Sequence, residues 1–103
     1  MTAGAENVWT LDGYQSEARR TINRGLTDDQ RLLDASAGLA EEAGEVLSHV
    51  RKHLFRKTPL DREAVALELG DALWCLAIAA DTLGISLKDV AQRNVAKLRS
   101  RYP

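Results

Sequence analysis

Two short acidic segments carry the chemistry that this chain could perform. Glu41-Glu42-Ala43-Gly44-Glu45 places carboxylates at 42 and 45, and Glu68-Leu69-Gly70-Asp71 repeats the same spacing. On a helix, residues three apart are neighbours, so each segment presents a pair of acids on one face. After Asp71 the chain is apolar through Ala80, so Asp71 is expected to be buried or semi-buried. Carboxylates that lead into an apolar helix are costly to bury unless a cation meets them. Four such groups facing one another would repel and raise each other's pKa values. A divalent cation resolves that conflict, and an all-oxygen ligand set suits Mg²⁺, or Mn²⁺, over softer metals. No His stands at the i+3 positions, which argues against a di-iron carboxylate centre. A Glu-x-x-Glu pair alone is usually a solvated helix face, and Glu68 alone could be surface too; it is their conjunction, with Asp a poor helix former leading an apolar run, that favours a site.

The elements that must position these groups read as helices. Leu11, Tyr14, Gln15, Ala18 and Ile22 recur at helical spacing, with Gly25 as a stop. Thr27-Asp28-Asp29-Gln30 is a capping box that opens a second helix reaching about Phe55. Its apolar stripe runs through Leu32, Ala35, Leu39, Ala43, Val46, Val50 and Leu54, and Glu42 borders it. Thr58-Pro59 stops that helix and is expected to start the third with Pro at the first helical position. The third ends at Gly84, and Ser86 caps a fourth that ends near Ser100. There is no strand-like alternation. The expected fold is all-α, a four-helix bundle over residues 11–103, with residues 1–10 as a loose arm.

Asn94, Lys97 and Arg101 form one polar stripe on the fourth helix. An Asn and two cations could hold phosphate oxygens, or serve as ordinary partners of the helix dipole. Gln15 falls in the apolar arc of the first helix and could bond a ligand or satisfy a backbone group. Trp74 projects from the main apolar arc of its helix and could stack on a base or pack at an interface. His49 and His53 are spaced for zinc, but Val50 after His49 breaks the zinc-protease pattern and a rim position fits better. Cys75, the one cysteine, sits inside the apolar run and reads as core.

Composition limits the alternatives. A net charge of −1 over 103 residues leaves no basic face for coating nucleic acid. The apolar run is too short to span a bilayer, and no secretory leader is visible, so no membrane partner is expected and a cytoplasmic location follows. A chain this short buries a modest core, which makes pairing with a second subunit plausible.

These residues resemble the MazG-type all-α nucleoside triphosphate pyrophosphohydrolases. The resemblance rests on Glu41-Glu42-x-x-Glu45, the Glu68-x-x-Asp71 that follows after 22 residues, Asn94-x-x-Lys97-x-x-x-Arg101 and the Tyr14-Gln15-x-x-Ala18 opening. It implies Mg²⁺-dependent cleavage of an NTP or dNTP to the monophosphate and pyrophosphate, in a nucleotide-pool house-cleaning role. Glu42, Glu45, Glu68 and Asp71 would be metal ligands, Glu41 would help orient the attacking water, and Lys97 and Arg101 would contact phosphate. Asn94 joins them as a phosphate candidate, and Gln15 and Trp74 are base-binding candidates. The resemblance also implies a homodimer, or a homotetramer built as a dimer of dimers. Phosphoribosyl-ATP pyrophosphohydrolase is a related alternative; a non-catalytic helical dimerisation module is a third reading.

Overall fold

The computed structural model describes residues 8–103, so residues 1–7 of the expected N-terminal arm lie outside the described residues. Four helices follow in order: α1 (Leu11–Arg19), α2 (Asp28–Arg56), α3 (Arg62–Thr82) and α4 (Leu87–Arg101). No strand occurs among the described residues.

Local chemistry sets the boundaries. At the start of α2, the Gln30 amide donates to Thr27 Oγ1 and the Thr27 amide donates to Gln30 Oε1, the reciprocal pair expected of the capping box. Thr10, Asp61 and Ser86 cap α1, α3 and α4 by accepting from Gly13, Ala64 and Asp89. α1 stops at Arg19, well before Gly25. There the Thr21 hydroxyl and amide both donate to the Ala18 carbonyl, and the chain tightens into a turn. Arg31 holds that turn to α2 by donating to the Asn23 and Leu26 carbonyls. The α2–α3 connection corrects the expected role of Pro59. α2 ends with Lys57 in the left-handed region at φ 54, and α3 begins only after Asp61, whose carboxylate supplies the cap. Pro59 therefore lies in the connection and not in the first helical turn. Gly84, at φ +72, ends α3, and the Ile85 amide returns to the Ala80 carbonyl across it.

α2 and α3 form a long antiparallel hairpin. α1 and the start of α4 pack on α3, while α2 meets α3 alone among the helices. The four helices therefore do not close into a bundle within one chain. The radius of gyration is 16.3 Å, against about 13 Å for a compact chain of this length. The buried core is small and made largely of alanine: Ala18, Ala35, Ala77 and Ala80, with Ile78 and Leu87.

One polar side chain is sealed in that core. Gln15 is 3% exposed. Its Nε2 donates to the carbonyls of Ala77 (3.2 Å) and Ile85 (3.0 Å), and its Oε1 accepts from the Leu87 amide (3.0 Å). A single side chain thus ties α1 to the end of α3, to the connection and to the start of α4. Asp12 adds a second bond from α1 to α4 by accepting from the Lys88 amide, and Arg19 pairs with Asp81.

The hairpin seam has one tight point. A Cβ placed on Gly38 would stand 2.9 Å from Cys75 Sγ, inside van der Waals contact. Glycine here lets α2 approach the buried thiol of α3. Gly38→Ala gains up to about 1 kcal/mol of helix propensity but overpacks the seam at about 1–3 kcal/mol. We expect net destabilisation in the wild-type background and net stabilisation when Cys75→Ala removes the sulfur. Urea unfolding of the two single variants and the double variant checks this; the same sign in both backgrounds would refute the packing argument.

Candidate metal centre

Three of the four acids singled out from the sequence come together on the hairpin. One carboxylate oxygen each from Glu42 on α2 and Glu68 and Asp71 on α3 lies within 4.8 Å of the others. The antiparallel seam produces this meeting. Glu42 follows Gly38 by one turn on α2, and Asp71 precedes Cys75 by one turn on α3, so the contact between Gly38 and Cys75 fixes the level at which the acids face each other. Glu42 and Glu68 are half-buried. Asp71, expected to be buried or semi-buried, is exposed: on its face of α3, burial begins one turn later at Cys75. Glu45 is exposed and stands outside the group of three, and Glu41 is exposed beside Glu42.

The electrostatics are those of an uncompensated cluster. The Glu42 carboxyl is pushed up from 4.5 to about 7, first by a hydrogen bond shared with Glu68, then by desolvation and by the charges of Glu68, Asp71 and Glu41. In the absence of a cation, a proton held between Glu42 and Glu68 relieves the repulsion. Glu42 Oε2 is shielded from solvent and has no hydrogen-bond partner. None of the three acids is in an ion pair with a Lys or Arg of the described residues. A hard divalent cation fits this donor set: three carboxylates, one carrying an orphaned oxygen, with no side-chain cation to neutralise them. The Cys75 thiol below is raised by burial and by Glu42, Asp71, Asp34 and Glu41. The charge of Asp34 therefore reaches the same thiol. The sequence reading did not single it out, because a lone acid two turns before Glu42 has no distinguishing signal.

The raised Glu42 carboxyl has a measurable consequence. Between pH 4.5 and about 7 the folded chain retains a proton that the unfolded chain has released. Stability of the metal-free protein therefore falls as pH rises through that window. A divalent cation displaces this proton, so its apparent affinity weakens as pH drops below about 7. Melting temperatures should fall with pH across this range in EDTA and stay level in saturating Mg²⁺, so that the gap between the two widens. A Glu42→Gln profile with an unchanged slope would show that Glu42 is not the group responsible.

The remaining candidates lie elsewhere. Gln15, a base-binding candidate, has its amide committed to three backbone groups in the core, which is the backbone-satisfying role and not a ligand-facing one. Trp74 is half-buried against the core, and its Nε1 donates to Thr21 Oγ1 (2.8 Å), which ties α3 to the end of α1. Asn94, Lys97 and Arg101 are exposed along α4, a helix that makes no packing contact with α2. Within one chain they are not assembled with the acids by any helix packing. His53 bonds the Thr58 carbonyl through Nδ1 and so stitches the α2–α3 connection, and His49 is half-buried.

The chain is 43% identical over 99 residues to the Gene 37 protein of Mycobacterium phage L5, covering 88% of this chain and 87% of the relative. It is 36% identical over 73 residues to the uncharacterized protein YvdC of Bacillus subtilis (strain 168), covering 62% of this chain and 69% of the relative. No solved structure matches it. No helix among the described residues is long and apolar enough to cross a membrane. Residues 30–103, which contain both acidic segments and all of α4, match the MazG nucleotide pyrophosphohydrolase domain. The chain belongs to the MazG nucleotide pyrophosphohydrolase family.

Proposed function

We propose that this protein is a Mg²⁺-dependent pyrophosphohydrolase that cleaves an NTP or dNTP to the monophosphate and pyrophosphate, in a nucleotide-pool house-cleaning role in the cytoplasm. The observation that carries this reading is the convergence of Glu42, Glu68 and Asp71 from two helices with no side-chain cation among them. Glu42, Glu68 and Asp71 would hold the metal, with Glu45, one turn along α2, as a fourth ligand by family resemblance. When bound, the cation neutralises phosphate charge that develops as the phosphoanhydride breaks. Glu41, exposed beside Glu42, orients the attacking water. Asn94, Lys97 and Arg101 offer an Asn and two cations for phosphate oxygens. Mn²⁺ is the expected substitute for Mg²⁺. The chain acts as a self-association of identical copies, as a dimer or tetramer.

The test is a pyrophosphate-release screen over canonical and modified NTPs and dNTPs with Mg²⁺ and with Mn²⁺. Release from at least one nucleotide, abolished by EDTA, is the expected result. Silence across the panel by a protein that binds the cations would overturn the catalytic reading.

A further inference from the structure

α1 turns one tyrosine toward the acids. Asp71, Cys75 and Ile78 follow a single face of α3 at spacings of four and three residues. Ile78 is 1% exposed and belongs to the core. The ring of Tyr14, half-buried on α1, packs against that core. Ala18, one turn further along α1, is buried in it, so Tyr14 lies on the face of α1 that is turned to α3. The Tyr14 hydroxyl holds its proton more tightly than an ordinary tyrosine, first through burial and then through the charges of Asp71 and Cys75. Asp71 is the one acid of the trio in that pair.

The fold sets where the phenol stands, and the hydroxyl plays no part in it. Gln15, the next residue, fastens α1 to Ala77, Ile85 and Leu87, and Trp74 Nε1 bonds Thr21 Oγ1 just past the end of α1. Among the described residues the Tyr14 hydroxyl makes no hydrogen bond, and it is not sealed from solvent. Such a hydroxyl adds no stability that phenylalanine would lack. Asp71 is short of a partner in the same way. It is exposed and stands in no ion pair among the described residues. Carboxylates that hold a metal are themselves hydrogen-bonded as a rule, and those supporting groups tune the affinity.

We propose that Tyr14 is a positioning residue of the candidate metal centre: its hydroxyl donates to the Asp71 carboxylate and holds it toward Glu42 and Glu68. In the metal-free chain the other two carboxylates repel Asp71 and the bond is not made. A cation removes that repulsion, and the exposed Asp71 side chain is free to turn. The proposal rests on the metal reading above and adds α1 to it, a helix that lies outside the family match over residues 30–103.

The experiment is calorimetric titration of the full chain with Mn²⁺ at pH 8, with melting temperatures in EDTA alongside. Tyr14→Phe should bind Mn²⁺ about tenfold more weakly than wild type and melt within about 1 °C of it. Tyr102→Phe, exposed at the end of α4, should change neither. With Asp71→Asn already present, the effect of Tyr14→Phe should fall below about twofold, because both substitutions remove the same contact. If Asp71→Asn binds too weakly to titrate, Asp71→Glu takes its place, keeping the charge and moving it by one methylene. Unchanged Mn²⁺ affinity in Tyr14→Phe would overturn the proposal and leave the metal reading standing. So would a weakened affinity matched by a lower melting temperature, which is a packing role. A full loss that persists in the Asp71 variant would mean that the hydroxyl acts elsewhere, and would also overturn it. A wild type that binds no Mn²⁺ would overturn the metal reading and this proposal together.

Discussion

Glu42→Gln and Asp71→Asn are each expected to lower kcat/KM by at least about 100-fold while leaving helix content unchanged. Each variant keeps the volume of its side chain and removes a charge from the trio on α2 and α3. Loss of a ligand weakens metal binding directly, and even groups that only support ligands are worth about 10–100-fold. Glu45→Gln is expected to cost less, about tenfold or below, because the three converging carboxylates remain. Calorimetric titration with Mn²⁺ separates binding from chemistry. One further contrast belongs to this trio. Because the hydrogen bond shared with Glu68, then desolvation and the neighbouring charges, hold the Glu42 carboxyl near 7, Glu42→Gln should melt at a higher temperature than wild type in EDTA at pH 8, despite its lost activity. Near-wild-type turnover in either of the first two variants would reject the ligand assignment. A lower melting point for Glu42→Gln in EDTA would reject the view that the acids repel without a cation.

The second large effect is on stability. Gln15→Leu should cost on the order of 3 kcal/mol or more, because two carbonyls and one amide lose their only side-chain partner in the core. Leucine fills the space but bonds none of them. For a chain of this size that is a large part of a total of about 5–15 kcal/mol. It should lower the melting temperature by about 12 °C or more. The prediction also separates the two roles that Gln15 could have. A fastener of α1, α3 and α4 lowers stability; a base contact would raise KM in a protein of normal melting temperature. A shift of under about 3 °C with a raised KM would restore the ligand role.

What the sequence made legible was local. Helix starts depend on a cap and the residues three positions on, so Thr27, Gln30 and Ser86 could be read directly. The i, i+3 acids could be read because helical rotation alone puts them on one face. Asp61 was harder: Pro59 offered an equally good local start, and only the left-handed turn at Lys57 pushes the helix three residues later. Long-range partnerships were out of reach. Nothing near Gln15 in sequence announces that Ala77, Ile85 and Leu87 converge on it from 62 to 72 residues away. The polar stripe on α4 was legible as a stripe, but its distance from the acids depends on how α4 leaves α3, which no periodicity encodes. Asp71 was expected to be buried from the apolar run after it, yet burial depends on what α2 places opposite, and Gly38 meets α3 one turn further on, at Cys75.

The location of the three acids has a consequence for how the molecule can diverge. All of them stand on two helices joined by five residues, 57–61, so the three carboxylates are brought together without a residue from either end of the chain. Exchanging the segments before residue 28 and after residue 84 for those of a relative should therefore leave the trio in place, provided Gln15 keeps its backbone partners at Ala77, Ile85 and Leu87.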